Sequence, residues 1–220
     1  MGKLNDIMTH YGTDKMAADC NYVPLYEKIL DGKENEKLKI LEIGIFRQPP
    51  SVEGGPVDKG RRLTAASIRT WYDYLPNSEI YAIDLYDFKD FNNDRIHTFI
   101  CNQESVDDLE DLITKIGGDF DMIIDDGGHM MNQHQISLST LFKYVKQGGV
   151  YVIEDLLTCH MPNYVRGDKT TLDVLYEYQK TKKINSTYIN DENVKYIEDN
   201  ILVVEVHATI ISEIALIFKK

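Results

Sequence analysis

The sequence has little positive charge and few cysteines. Against 36 Asp and Glu it carries 24 Lys and Arg, which gives a formal net charge of −12. Binding to nucleic acid requires clustered cationic side chains, so this balance argues against a nucleic-acid partner. The 3 cysteines, Cys20, Cys101 and Cys159, are widely spaced and form no CxxC pair. That pattern indicates free thiols in a reducing compartment and argues against a zinc site.

The sequence also has no segment suited to targeting or to membrane insertion. Residues 1–8 (MGKLNDIM) have no apolar core of the kind that a secretory signal requires. The most apolar stretch, residues 201–218, is interrupted by Glu205, His207 and Glu213. A membrane-spanning helix needs about 20 predominantly apolar residues. We therefore expect a cytoplasmic protein without a membrane partner.

The apolar residues that are present follow a strand–helix alternation. A chain of 220 residues with 43% hydrophobic content is large enough for one domain with a real core. Strands covered on both faces are expected in residues 38–45, 79–86, 120–126 and 149–155, with a shorter one in 97–101. Helical periodicity occupies residues 63–75, 105–116 and 134–145 between them. Such alternation predicts right-handed βαβ units and a mostly parallel sheet.

The C-terminal part departs from this alternation. A helical pattern in residues 171–183 is followed by two strand patterns, in residues 200–206 and 213–219. The connection between these two strands is short enough for an antiparallel hairpin. The predicted fold class is therefore α/β. We expect a Rossmann-like, mostly parallel sheet with helices on both faces and a C-terminal antiparallel edge hairpin, in a single domain over residues 1–220.

The loop of residues 47–63 holds three of the six prolines and follows the first predicted strand directly. In an open α/β sheet, this position is the carboxyl edge, where ligands bind. Two interpretations stay open for this loop, a surface insertion and an active-site lid.

Polar residues end the four main predicted strands. Because the carboxyl ends of parallel strands meet at one edge, these residues are expected to converge. Acidic side chains gathered at one edge repel each other unless a cation lies among them. The residues concerned are Glu42, Gly44, Asp84, Asp125, Asp126, Glu154 and Asp155.

The first two strand ends suit a nucleotide-like ligand. Gly44 permits close approach of a ligand to the main chain, although the dinucleotide fingerprint G-x-G-x-x-G is absent. Glu42 is placed either to accept from the amine of a cationic ligand or to form a salt bridge. Asp84 can accept both hydroxyls of an adenosine ribose.

The other two strand ends suit a metal ion with a base beside it. Asp125 and Asp126 point to opposite sides of an extended strand, and the two glycines that follow bring His129 back over the edge. Three carboxylates from these strand ends suit a hard cation such as Mg²⁺. Histidine fits better as a general base than as a ligand of that ion. In the alternative interpretation, one aspartate caps a turn and His129 is an ordinary surface residue.

Six segments, in matching order between residues 11 and 158, resemble the metal-dependent sugar O-methyltransferases of macrolide biosynthesis, of the mycinamicin and macrocin type. These are class I enzymes that use S-adenosylmethionine (SAM). The segments are YGTDK (11–15), LEIGI (41–45), SIRTWYDYLP (67–76), YAIDLYD (81–87), DMIIDDGGH (121–129) and GGVYVIEDLLT (148–158).

This resemblance implies two cofactors, SAM and Mg²⁺, and a role for each matched residue. The residues implied to bind SAM are Thr13, Lys15, Glu42, Gly44, Asp84, Gln103 and Asp125. Those implied to bind Mg²⁺ are Asp126, Glu154 and Asp155, and His129 is implied as the base. Residues 1–37 are expected to form a helical cover. Phe46 departs from the pattern, since it replaces the second glycine of the SAM loop.

The predicted function is methyl transfer from SAM to a hydroxyl of a sugar with vicinal hydroxyls, either nucleotide-linked or part of a glycoside. A non-sugar vicinal diol such as a catechol is an alternative acceptor, since it would chelate the same ion. An NAD-dependent sugar oxidoreductase and a non-catalytic SAM-binding protein are the alternative classes. The sequence leaves the acceptor, the hydroxyl and the oligomeric state open.

Overall fold

A seven-stranded sheet lies at the centre of the protein, and a small three-stranded sheet follows its first strand. The computed structural model describes residues 2–17, 20–45, 47–48, 57–58 and 61–220. The strands in these residues are β1 (Lys39–Ile43), β2 (Arg47–Gln48), β3 (Val57–Asp58), β4 (Arg61–Leu63), β5 (Glu79–Asp84), β6 (Ile96–Ile100), β7 (Phe120–Asp125), β8 (Val145–Ile153), β9 (Ile201–Ala208) and β10 (Glu213–Lys219).

Helices lie on both sides of the large sheet. They are α1 (Lys3–Tyr11), α2 (Val23–Leu30), α3 (Ala66–Tyr74), α4 (Val106–Ile116), α5 (Met131–Leu141), α6 (Thr171–Thr181) and α7 (Asp191–Asn200). Short 3-10 turns occupy Asp14–Met16, Lys89–Phe91, Phe142–Tyr144 and Leu156–His160. No helix in the described ranges is both long and apolar enough to cross a membrane.

The strand order of the large sheet is β6-β5-β1-β7-β8-β10-β9. Neighbours from β6 to β8 pair in parallel, whereas β10 pairs antiparallel with both β8 and β9. The predicted fold class is therefore confirmed, including the antiparallel hairpin at the edge. The cysteines are free thiols, as predicted.

The two faces of the sheet carry separate apolar cores. Along β1, Leu41 packs in the cluster that includes α4 and α5, whereas Ile40 packs with α1, α2 and α3. Successive side chains of a strand point to opposite faces, so Glu42 shares the face of Ile40. A carboxylate of the first predicted strand is thereby directed toward the N-terminal helices.

Among the described residues, the structure has one helix, α7, that neither the periodicity nor the expected helical cover of residues 1–37 predicted. Its sequence, DENVKYIEDN, fully buries only Ile197 among its residues. Asn190 caps it by accepting from the main-chain N–H of Asn193 (2.8 Å). A helix with so narrow an apolar stripe gives little periodic signal, which is why it was missed.

The loop of residues 47–63 is described only in part. Its strands β2, β3 and β4 pair as a small antiparallel sheet. Residues 49–56 and 59–60, together with Phe46, lie outside the described residues. The two interpretations of this loop and the effect of Phe46 therefore stay predictions.

Candidate active site

A cavity of about 380 Å³ opens at the carboxyl edge of the parallel strands. Six of the predicted site residues line it, namely Gly44, Asp84, Gln103, Asp126, His129 and Asp155. Asp14, which belongs to the GTDK element of the resemblance, lines it as well. Sequence reasoning did not single out several others, among them Leu85, Tyr86, Asn102 and Gln133. Most of these lie in the loops after β5 and β6, where no residue-type pattern marks them.

Gly44 is required because the ends of β1 and β7 nearly touch. Its φ is +88°, and a Cβ added there would lie 2.1 Å from the main-chain oxygen of Asp126. Its N–H donates to the Ile83 carbonyl (2.8 Å), which continues the parallel ladder past the end of β1. A side chain at this position would collide with the main chain of Asp126, the aspartate predicted to bind the metal ion.

Asp84 ties together the two loops that form one wall of the cavity. One carboxylate oxygen accepts from the main-chain N–H of Ile45 (2.8 Å) and the other from that of Tyr86 (3.0 Å). The carboxylate is therefore fixed at the cavity wall by main-chain donors. That position suits an acceptor for ribose hydroxyls.

Asp125 lies beneath the cavity instead of among its lining residues. It is fully buried and accepts from Gln103 Nε2 (3.1 Å), the Tyr151 hydroxyl (3.2 Å) and Ser137 Oγ. A buried carboxylate needs such donors, because unpaired burial of its charge is costly. Its contact with the cavity runs through Gln103.

Lys15 forms the centre of a buried acidic cluster next to the cavity. Its Nζ lies 2.6 Å from Asp126 Oδ2, 3.0 Å from Glu154 Oε1 and 3.1 Å from Glu42 Oε1. Burial alone lowers the pKa of this ammonium, but the three carboxylates outweigh it and hold the pKa well above its ordinary value. Lys15 is therefore the positive charge that the acidic strand ends require.

Thr13 supports this cluster without reaching the cavity. It is buried, and its Oγ1 accepts from the main-chain N–H of Lys15 (3.5 Å), capping the 3-10 turn at Asp14–Met16. The structure thus places Thr13, Lys15 and Glu42 behind the residues that line the cavity.

Three aromatic side chains complete the cluster. Trp71 Nε1 donates to Glu42 Oε2 (3.0 Å), the Tyr22 hydroxyl donates to Asp155 Oδ1 (2.8 Å), and the Tyr26 hydroxyl donates to Glu154 Oε1. Burial raises the pKa of Glu154 to about 7, although Lys15 and Tyr26 favour its ionised form. These donors were not predicted, since nothing in their local spacing indicates contact with strand ends far along the chain.

His129 faces the two aspartates at the cavity. Its Nε2 lies 4.0 Å from Asp126 Oδ1 and 3.8 Å from Asp155 Oδ2. Burial lowers the pKa of His129, which favours the neutral imidazole that a general base requires. His129 and Asp155 both adopt left-handed main-chain conformations, with φ of +59° and +53°. Such strain in non-glycine residues often occurs at functional sites.

The residues at this point fit a divalent cation. One ligand atom each from Asp126, His129 and Asp155 lies within 4.8 Å of the others. The two aspartates are held from the protein side by Lys15 and Tyr22, and each turns its other oxygen toward His129. Carboxylate oxygens are the ligands that Mg²⁺ prefers. Glu154 lies apart from this group, because its Oε1 accepts from Lys15 and Tyr26.

The sheet order and the position of the cavity define the class I methyltransferase fold. The SAH-bound methyltransferase PaMTH1 of Podospora anserina shares it, with a TM-score of 0.54 at 14% identity over 100% of this chain and 89% of that one. A closer match is MycE, a methyltransferase of the mycinamycin biosynthetic pathway whose structure contains Mg, SAH and mycinamycin VI. Its TM-score is 0.78 at 25% identity, over 99% of this chain and 54% of MycE.

Sequence relatives point to the same group of proteins. This chain is 32% identical over 163 residues to an 8-demethyl-8-(2-methoxy-alpha-L-rhamnosyl)-tetracenomycin-C 3'-O-methyltransferase of Streptomyces olivaceus, covering 74% of this chain and 39% of the relative. It is 33% identical over 162 residues to the demethylmacrocin O-methyltransferase of Streptomyces fradiae, covering 73% and 38%.

The mycinamicin VI 2''-O-methyltransferase of Micromonospora griseorubida is 30% identical over 161 residues, covering 73% of this chain and 38% of the relative. The chain thus spans about two fifths of the length of these curated relatives. No family model matches the sequence. The predicted resemblance to the macrolide sugar O-methyltransferases is confirmed.

Proposed function

We propose that the protein is a Mg²⁺-dependent O-methyltransferase that transfers a methyl group from SAM to a hydroxyl of a sugar with vicinal hydroxyls. The sugar is either nucleotide-linked or part of a glycoside. The observation that carries the proposal is the meeting of Asp126, His129 and Asp155 at one point beside the cavity. Residues 1–220 act as one domain, with residues 1–37 as the cover. The net charge of −12 favours a small-molecule partner over nucleic acid, and the free thiols favour the cytoplasm.

The cofactor occupies the cavity beside Gly44, Asp84 and Gln103. Asp84 accepts from the ribose hydroxyls, and the absence of a side chain at Gly44 keeps the floor of the cavity in place. Thr13, Lys15, Glu42 and Asp125 act from behind, through the contacts described above. When bound, SAM supplies a methyl group on a positively charged sulfur.

The metal ion is held by Asp126 and Asp155, with Glu154 as the third predicted ligand. When bound, Mg²⁺ lowers the pKa of an acceptor hydroxyl and orients it. Lys15 contacts both Asp126 and Glu154, and the hydroxyls of Tyr22 and Tyr26 orient Asp155 and Glu154. Asp126 and Asp155 already face one point, and Glu154 lies behind them. The carboxylates of Glu42, Asp126, Glu154 and Asp155 outnumber the single ammonium of Lys15. The excess of negative charge suits a divalent cation.

His129 takes the proton of the acceptor hydroxyl at Nε2. The neighbouring carboxylates of Asp126 and Asp155 stabilise the imidazolium that results. As the acceptor oxygen forms its bond to the methyl carbon, the carbon–sulfur bond breaks and its electron pair stays on sulfur. Most of the acceleration comes from the alignment of the two reactants.

The test is a mass-spectrometric screen of nucleotide sugars, glycosides and catechols for the gain of one methyl group with SAM and Mg²⁺. We expect transfer to a sugar, its loss in EDTA and its return with added Mg²⁺. His129→Ala should lower kcat by about 10²- to 10⁴-fold, with SAM affinity retained in calorimetry.

Full activity under thorough chelation would remove the metal from the scheme. Transfer to catechols alone would replace the sugar by a non-sugar diol. Binding of NAD in place of SAM would identify an oxidoreductase instead.

A further inference from the structure

The turn that carries His129 is held by two glutamine side chains. Gln103 Oε1 accepts from the main-chain N–H of Gly128 (2.8 Å), and Gln133 Oε1 accepts from that of Met130 (3.0 Å). The two N–H groups that flank His129 in the chain thus each donate to a glutamine. We call these two side chains the glutamine clamp.

The glycines before His129 are explained by the same clamp. A Cβ at Gly127 would lie 1.9 Å from Gln103 Oε1, and a Cβ at Gly128 would lie 2.2 Å from Gln133 Oε1. The amides therefore lie directly against the main chain of the turn. Two glycines are present because two side chains occupy the space that their own side chains would take.

Each amide of the clamp has a defined orientation. Gln103 Nε2 donates to Asp125 Oδ1 (3.1 Å), and Gln133 Nε2 donates to Glu104 Oε1 (2.8 Å). A carboxylate only accepts, so it selects the nitrogen of each amide and turns the oxygen toward the turn. Gln103 thereby connects the His129 turn to Asp125 at the end of β7. Gln133 connects the same turn to Glu104 in the loop after β6.

His129 needs such support. Its φ of +59° lies in the left-handed region, which a residue with a side chain adopts only when its surroundings hold it there. Within the described part of the chain, its Nδ1 is buried without a hydrogen-bond partner. No side chain therefore fixes the ring through that nitrogen. The main chain of the turn sets the direction of the ring, and the His134 ring packs against it at a centroid distance of 5.9 Å.

We propose that Gln103 and Gln133 are positioning residues, which fix the turn and thereby direct the His129 imidazole at Asp126 and Asp155. The kinetic consequence rests on the proposed function, since it requires His129 to be the base. Gln133 is the cleaner member to test, because Gln103 also has a predicted role in binding the cofactor.

The experiment uses three variants of the full chain. Gln133→Met removes both hydrogen bonds of the Gln133 side chain and keeps the side chain at nearly the same length. The exchange pair, Gln133→Glu with Glu104→Gln, keeps both hydrogen bonds. In the bond between positions 133 and 104 the donor and the acceptor change places, and the bond from the Met130 N–H is unaltered. The new carboxylate at position 133 accepts from the Met130 N–H and from the new amide at position 104. Gln179→Met is the control, since Gln179 donates to the Val204 carbonyl away from the site.

We expect Gln133→Met to lower kcat by about 10- to 100-fold, since a small misplacement of a reacting group costs that much. KM for SAM should change by less than kcat does, since Gln133 lines the cavity but is assigned no hydrogen bond to SAM. The exchange pair should recover most of the lost kcat, and Gln179→Met should match the unmodified protein. If the exchange pair stays as impaired as Gln133→Met, the positioning role is wrong.

A second readout does not depend on turnover. Amide hydrogen exchange at Met130 should be about three- to tenfold faster in Gln133→Met, as expected for one lost hydrogen bond, and normal in the exchange pair. Unchanged exchange would overturn the clamp itself. If the hydrogen exchange at Met130 responds as expected but neither the unmodified protein nor any variant methylates an acceptor, the clamp stands and the proposed function fails.

Discussion

Two buried lysines, Lys15 and Lys219, are held in opposite ways. Lys15 Nζ lies among three carboxylates at the carboxyl edge of the sheet. Lys219 Nζ donates to main-chain carbonyls of the turn after α5, at 2.6 Å to Val145, 2.9 Å to Lys143 and 3.5 Å to Phe142. Carbonyl dipoles carry no net charge, whereas carboxylates do. Loss of the ammonium would therefore leave uncompensated negative charge in the first environment and only unpaired carbonyl oxygens in the second.

The two environments also differ in how the chain assembles them. The partners of Lys219 belong to one short turn, so its contacts cap a local structure, as basic side chains near helix ends do. Lys15 reaches Asp126 and Glu154 across 111 and 139 residues of sequence. It therefore joins the N-terminal segment to the ends of β7 and β8. Lys219 also reaches its partners across 74 to 77 residues of sequence, but all of them lie in one turn, whereas Lys15 joins three separate strands at the site.

The largest effect is expected from Lys15→Met. This change keeps the length of the side chain and leaves Glu42, Asp126 and Glu154 without their cation. The free energy of unfolding should fall by about 3–5 kcal/mol, as when one partner of a buried ion pair is removed. Millimolar Mg²⁺ should restore part of this loss, because a divalent cation can take over the neutralisation. Urea denaturation with MgCl₂ or with EDTA measures both.

The matched variant is Lys15→Met combined with Glu154→Gln, which removes one of the uncompensated carboxylates. It should be more stable than Lys15→Met alone. A loss below about 1 kcal/mol for Lys15→Met, of the size of an exposed ion pair, would contradict the comparison. So would an equal response of Lys15→Met and the unmodified protein to Mg²⁺.

The acidic strand ends were predictable from the sequence, and their cation was not. Apolar runs that end in Glu42, Asp84 and Asp126 predict converging carboxylates, because parallel geometry fixes where strand ends meet. The confirmed fold follows from the same patterns. Lys15 lies in a short turn with no periodicity of its own. Only the resemblance drew attention to it, and it did so in the different role of a cofactor ligand.

The supporting side chains were beyond sequence reasoning for the same physical reason. Tyr22, Tyr26 and Gln133 contact the site through tertiary packing, which spacing along the chain does not encode. The glycines at 127 and 128 indicated a tight turn. They could not indicate that two glutamines occupy the space beside them.

His134 is a third buried polar side chain to compare with Lys15 and Lys219, and it differs from both because it is buried in the neutral form. Within the described residues both of its ring nitrogens lack hydrogen-bond partners, and burial lowers its pKa to about 4. The unfolded chain takes up this proton near pH 6.5 and the folded one only near pH 4. The contribution of His134 to stability is therefore lost as the pH falls through this window, by about 3 kcal/mol in total, whereas the raised pKa of Glu154 contributes in the opposite direction.

We expect the free energy of unfolding in urea, taken at pH 4 relative to pH 7, to be higher in His134→Leu than in the unmodified protein by about 3 kcal/mol. His10→Gln, a change at an exposed histidine, should keep the slope of the unmodified protein. Parallel curves for His134→Leu and the unmodified protein would show that His134 is protonated in the folded state as readily as in the unfolded chain.

The smallest effect is expected from Lys219→Met, which completes the comparison. It leaves carbonyls of the turn after α5 without their donor, at a cost of about 1–3 kcal/mol in the free energy of unfolding. The change leaves no carboxylate without its counter-charge, because the partners of Lys219 are main-chain carbonyls. Mg²⁺ should therefore not restore the lost stability. Lys220→Met, at the exposed neighbour, should change stability by less than about 0.5 kcal/mol. Recovery of Lys219→Met by Mg²⁺ would mean that the two buried lysines do not differ in the way their partners suggest.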